Sequence, residues 1–114
     1  MTQLPDQALE QVAQYFQALA ELTRLKILNE LRANERNVGE LAQICACTLA
    51  NVSKHLSILA KHGLVTRESR GTSVYYHISD PSVYALCDLV CGNILRQIDK
   101  QNQFADLIRQ TPVQ

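Results

Sequence analysis

The cysteines are the side chains of this chain best suited to ligand or redox chemistry, and the four of them fall into two pairs. Cys87 and Cys91, in "VYALCDLVCGNILRQI", are four residues apart, which puts both thiols on one face of a helix. Their Cβ atoms would then stand about 6 Å apart, whereas a disulfide needs about 3.8 Å, so an intrahelical bridge is disfavoured. A soft metal or metalloid can take both thiolates, because bonds of about 2.3 Å to sulfur span the wider gap. Cys45 and Cys47, in "LAQICACTLANVSKHLSIL", admit two readings. Reduced cysteine packs as a small hydrophobe, so they can be turn spacers. They can equally be further thiols recruited to the same chemistry. A thiol enzyme is a remote third reading, since the chain has no C-x-x-C, no phosphate-binding glycine loop and no nucleophile elbow.

The elements that must position these residues follow from periodicity. At 114 residues, 46% apolar and 19% charged, the chain suits a single domain, 1–114, with a true core and no need of disulfides. Leu9, Val12, Phe16 and Leu19 make one amphipathic helical stripe. "LTRLKILNELRA" gives a second helix through Leu25, Ile27, Leu28 and Leu31, broken by "ANERN". "VGELAQIC" is a short third helix with Val38, Leu41 and Ile44 inward. Thr48 is the expected N-cap of the next helix, whose Val52, Leu56 and Leu59 face the core and which stops at Gly63. "GLVTRES" and "SVYYHIS" read as a hairpin around Gly71. Asp80 as N-cap and Pro81 at the first helical position open a last helix with Val83, Leu86, Cys87, Val90, Cys91, Ile94 and Ile98 on one stripe. A helical tail over 99–114, with Phe104, Leu107 and Ile108, either extends this helix or forms a short extra one, and Pro112 stops it.

The formal net charge of zero hides an uneven distribution. Residues 1–47 sum to −2 and residues 78–114 to −1, while 48–77, with Lys54, Lys61, Arg67 and Arg70 against Glu68, sum to +3. One central basic block suits a polyanion that touches only that segment. "MTQLPDQALEQ" has neither a basic nor an apolar signal region, and no apolar run reaches the roughly 20 residues that span a bilayer. The expectation is a cytoplasmic protein with reduced thiols and no membrane partner.

A short helix, a tight turn, a capped helix and a hairpin make a winged helix-turn-helix, mainly α with a small β-hairpin wing. "ALAELTRLKIL", "VGELA", "NVSKHLSILAKHGLV" and "GTSVYYHIS", in that order, resemble the ArsR/SmtB family of bacterial repressors, over roughly residues 12–90. The resemblance implies a homodimer built on the first and last helices. It implies binding to double-stranded operator DNA in the apo or reduced form, and release when a metal ion or an oxidant alters the dimer. The family positions matching Leu49, Ala50, Ser53 and Lys54 commonly reach DNA, and Thr48 and Asn51 share those first turns. Leu49 and Ala50 are apolar here, which suits contact with a thymine methyl in place of hydrogen bonds. Lys54 fits a phosphate or a guanine, and Arg67 and Arg70 on the wing fit phosphates. Thr72 stands where the family often has an arginine.

The same resemblance bears on the thiols. Cys45, Ala46 and Cys47 occupy a turn that usually reads apolar–Gly–apolar. The family's arsenite- and cadmium-sensing C-x-C lies at the start of the short helix, where this chain has Asn37, Val38 and Gly39. Its zinc- and nickel-type site needs histidines on the last helix, and there are none after His77. Arsenite, cadmium, lead or cuprous ion, held mainly by Cys87 and Cys91, are the expected inducers, with no obligatory cofactor. A redox, sulfide or persulfide switch between segments or subunits is the competing reading. His55 reads as a satisfied half-buried side chain, His62 as a helix-end residue, and His77 as a strand residue without an obvious acidic partner. A protein-binding adaptor that keeps the fold without reading DNA is a further alternative.

Overall fold

Capping chemistry sets most of the element boundaries in the computed structural model, which describes residues 3–111. The order is α1 (Asp6–Leu19), α2 (Leu22–Ala33), β1 (Arg36–Asn37), α3 (Val38–Ile44), α4 (Leu49–Lys61), β2 (Val65–Arg70), β3 (Ser73–Ile78) and α5 (Ser82–Gln110). The Glu21 carboxylate caps α2 by accepting from the Arg24 backbone N–H at 2.9 Å. Asn37 and Glu40 form a reciprocal capping box on α3. Thr48 caps α4 as expected, its hydroxyl accepting from the Asn51 N–H at 3.1 Å.

Two helices end in the same way. At the close of α4, Gly63 lies at φ 73°, with Gly63 N–H donating to Ala60 O and Leu64 N–H to Leu59 O, at 3.0 and 2.9 Å. At the close of α3, Ala46 lies at φ 53°, with Ala46 N–H donating to Gln43 O and Cys47 N–H to Ala42 O, at 3.2 and 2.9 Å. Both are Schellman motifs, and only one has the glycine that a left-handed residue favours.

The chain divides into two units, Met1–Asp80 and Pro81–Gln114. The core of the first is built from Ile27, Leu28 and Leu31 of α2, Leu41 of α3, Val52, Leu56 and Leu59 of α4, and Leu64, Val65 and Tyr76 around the wing. Each large side chain so buried contributes about 1.5–3 kcal/mol. On α3 the inward face differs from the expected one. Leu41 is buried as expected, but Ile44 is 44% exposed, and Ala42 and Cys45 are buried in its stead. The sheet also has a third strand. It runs β1-β3-β2, with Arg36 opposite Tyr76 and Asn37 opposite Tyr75, because the break after α2 is extended enough to pair with the hairpin.

The second unit is one helix of 29 residues, in which Val83 is buried. Its cap residue is Pro81, one position later than the expected Asp80. Pro81 already has helical dihedrals and accepts from the Tyr84 N–H at 3.0 Å. The tail with Phe104, Leu107 and Ile108 continues this helix, and the expected stop at Pro112 lies outside the described residues. Among the described residues no helix is long and apolar enough to cross a membrane.

Candidate nucleic-acid interface and thiol sites

On α4 the helical period separates two faces cleanly. Val52, His55, Leu56 and Leu59 are buried, while Thr48, Leu49, Ala50, Asn51, Ser53 and Lys54 are exposed. Leu49 is 60% exposed at the first helical position, a leucine left in solvent at the leading edge of the helix. Leu49 and Ser53 form one wall of an open cleft of about 490 Å³. Its other walls are Asn37, Val38 and Gly39 at the start of α3, and Thr72, Ser73 and Val74 at the wing. The cleft brings Thr72 of the wing beside the leading edge of α4, so a strand of duplex seated there would meet both.

The wing treats its two arginines differently. Arg67 is exposed. Arg70 donates to both carboxylate oxygens of Glu35, at 2.5 and 2.8 Å, and to Glu68 at 2.9 Å, and its guanidinium stands 4.8 Å from the Tyr75 ring centroid. Its hydrogen bonds hold the Glu35 carboxyl below the usual carboxylate range. A phosphate approaching Arg70 would have to compete with two carboxylates. His77 does have acidic neighbours, contrary to the reading from sequence: one ligand atom each from Glu35, Glu68 and His77 lie within 4.8 Å of one another. The arginine at the centre of this group fills the place between the carboxylates that a cation would need. Glu68 and Arg70 are two apart on a strand, hence on one face, a pairing visible in sequence. Glu35 lies 35 residues from Arg70, and no local pattern announces it.

His55 is buried, with Nδ1 3.2 Å from an Arg24 Nη and 3.8 Å from Glu21, so its polar edge is satisfied. His62 sits at the C-cap of α4.

All four cysteines are thiols, in different settings. Cys45, the C-cap of α3, is 7% exposed and takes the core position expected of Ile44. Burial pushes its thiol pKa up, and the neighbouring Cys47 adds to the effect, so it is a poor source of thiolate. The half-buried Cys47 directs its Sγ to Cys45 O at 3.3 Å. On α5, Cys87 is half-buried and Cys91 exposed, one turn apart.

The apolar stripes of the long helices stay largely in solvent. Leu9, Val12 and Phe16 of α1 are exposed, as are Val90, Ile94, Ile98, Phe104, Leu107 and Ile108 of α5.

An outward polar and apolar edge on a capped second helix, followed by a paired wing, defines a winged helix-turn-helix regulator of the DNA-binding class. A family model described as a helix-turn-helix domain matches residues 19–68. The chain is 36% identical over 87 residues to the arsenical resistance operon repressor of Bacillus subtilis, covering 75% of this chain and 83% of that one. It is 39% identical over 85 residues to the transcriptional regulator NmtR of Mycobacterium tuberculosis, covering 75% and 71%. A solution structure of a homodimeric winged helix-turn-helix domain from Mycobacterium bovis superposes with a TM-score of 0.71. It is 33% identical, with 85% of this chain and 95% of that one covered. The chain belongs to the ArsR/SmtB family of winged helix-turn-helix repressors. It is a DNA-binding transcriptional regulator rather than an enzyme.

Proposed function

We propose that this protein is a cytoplasmic, homodimeric repressor that reads operator DNA with α4 and is released when a thiophilic metal or metalloid binds Cys87 and Cys91. The observation that carries the DNA-reading half is the exposed edge of α4, Leu49, Ala50, Asn51, Ser53 and Lys54, backed by a buried face that fixes its rotation. Leu49 and Ala50 meet thymine methyls, Asn51 and Ser53 meet base edges or phosphates, Lys54 a phosphate or guanine, and Arg67 a phosphate. Arg70 locks the wing through Glu35 and takes a lesser part. The exposed apolar stripes of α1 and α5 are the surfaces a second copy would cover.

The contrast among the thiols supports the inducer site. Cys45 is buried and its thiolate disfavoured, whereas Cys91 is exposed and Cys87, half-buried like Cys47, shares its helical face. Arsenite, cadmium, lead and cuprous ion are the ligands that two thiolates at this spacing select, with a third arm from another segment or subunit. A ligand on a helix of the dimer face acts on the spacing of the two reading heads, which must match one turn of duplex. The test is a gel shift of the reduced protein on its own promoter, with arsenite, cadmium and a polysulfide added separately. Release by arsenite or cadmium, lost in the Cys87→Ser/Cys91→Ser double variant while DNA binding persists, is the expected result. Release by polysulfide alone would replace the metal reading with thiol oxidation, and full induction of the double variant would remove these cysteines from sensing.

A further inference from the structure

One side chain joins three helices of the DNA-binding unit. The Arg24 guanidinium donates from Nε to Ala18 O at 2.6 Å and from one Nη to Gln17 O at 3.1 Å. These are carbonyls of the last turn of α1, where intrahelical partners run out and a cation also suits the helix dipole. The other Nη lies 3.2 Å from His55 Nδ1 on α4. Arginine has donors only, so Nδ1 must be the acceptor, and the imidazole carries its proton on Nε2. Glu21 closes the cluster: its carboxylate caps α2 through the Arg24 N–H and stands 3.8 Å from the same Nδ1.

We infer that Arg24 is a positioning residue for operator recognition, fixing the angle between the reading helix α4 and the end of α1. The inference rests on the proposed reading that α4 enters the groove and α1 helps form the dimer face. Apolar packing by Val52, Leu56 and Leu59 keeps α4 in the fold but leaves its inclination to α1 adjustable, because such contacts are non-directional. A planar guanidinium engaged at Nε and at both terminal nitrogens removes that freedom, since its donors diverge at angles set by covalent geometry. The contact on α4 is made at His55, adjacent to Lys54 and two residues from Ser53. A change of inclination there moves the DNA-facing side chains directly. Both copies of a dimer would shift together, and the distance between their reading edges is what a two-half-site operator tests. A lysine in place of Arg24 keeps the charge but not the fork.

The experiment compares affinity for the operator and for an unrelated duplex of equal length, at one salt concentration, by fluorescence anisotropy. Arg24→Lys is expected to lose roughly tenfold or more on the operator and less than about twofold on the unrelated duplex, because only specific binding depends on half-site geometry. His55→Asn, which offers an amide oxygen near the place of Nδ1, is expected to retain most of the operator preference. His55→Leu, which fills the site without accepting, is expected to lose it. These two variants decide the question even if Arg24→Lys does not fold. Long-range proton–nitrogen correlation spectra of the wild type should show His55 with its proton on Nε2. Unchanged operator preference in Arg24→Lys or His55→Leu, equal losses on both duplexes, or a proton on Nδ1 would each overturn the inference. Lys54→Gln in the same assay reads the underlying function separately. If it too is silent, α4 is not the reading element and both proposals fall; if it weakens binding while Arg24→Lys does not, the Arg24 inference falls alone.

Discussion

Replacing Ala46 by glycine should make the protein more stable, although it removes a side chain and adds none. Ala46 sits at φ 53° in the turn between α3 and α4, in the left-handed region that costs a residue with a Cβ about 1–2 kcal/mol. Its methyl is exposed, so no burial is lost with it. Glycine loosens the unfolded chain, which returns about 0.4–1 kcal/mol of the gain. The net expectation is a stabilisation of about 0.5–1 kcal/mol. Gly63 supplies the control, because it holds the same place in the same pattern of hydrogen bonds at the end of α4. A Cβ built on Gly63 meets nothing within 4 Å, so Gly63→Ala tests the backbone conformation alone and should cost a similar amount. Urea denaturation at fixed protein concentration reads both. With a slope of about 1.5 kcal/mol per M, Ala46→Gly should raise the midpoint by about 0.3–0.7 M and Gly63→Ala should lower it by as much, without a change of slope. An Ala46→Gly protein that is no more stable than the wild type, beside a Gly63→Ala protein that is clearly weakened, would refute the reasoning.

Three further outcomes follow from geometry already described. Lys54→Gln should weaken operator binding and flatten its dependence on salt, the log–log slope shrinking by about two for a dimer that loses one phosphate contact per subunit; an unchanged slope would mean that Lys54 does not neutralise a phosphate. Alkylation of the native protein at neutral pH should modify Cys91 well before Cys45, whose thiol is buried and shifted upward, and mass spectrometry of peptides gives the order. Acid should loosen the wing. The folded Glu35 carboxyl titrates below its ordinary value of 4.5, so its stabilising link to Arg70 is complete above that value and is lost as pH falls through the lower folded one. Resonances of Tyr75 and His77 should report that transition, and Glu35→Gln should abolish its dependence on acid.

Local chemistry was legible in the sequence and distant pairing was not. Thr48, Gly63 and Gly71 could be assigned to their cap and turn positions because each acts on neighbours within a few residues. The outward edge of α4 followed once its apolar period was known. Cys45 could not be assigned between core and sensor from spacing, since a thiol is apolar enough for one and nucleophilic enough for the other. Burial settled its environment, and Ile44, the more hydrophobic residue, was turned outward instead. The strand Arg36–Asn37 is too short to leave a pattern and exists only through β3. Glu35, Arg70 and His77, like Arg24 and His55, are joined across more than 30 residues, and the Arg24 fork ends partly on backbone carbonyls that any sequence would supply.

The clasp on Arg70 also bears on how such a protein finds its target among competing genomic sites. Arg70, Glu35 and Glu68 together carry one negative charge, and the whole chain is formally neutral. Attraction to arbitrary duplex grows with the number of phosphates a protein neutralises, and the clasp takes Arg70 out of that number, leaving Lys54, Lys61 and Arg67 in the central basic block. On the proposed DNA-reading function, the clasp would shorten visits to irrelevant sequence and leave less of the protein titrated away by bulk chromosome. Selectivity would then be gained by leaving the wrong place quickly.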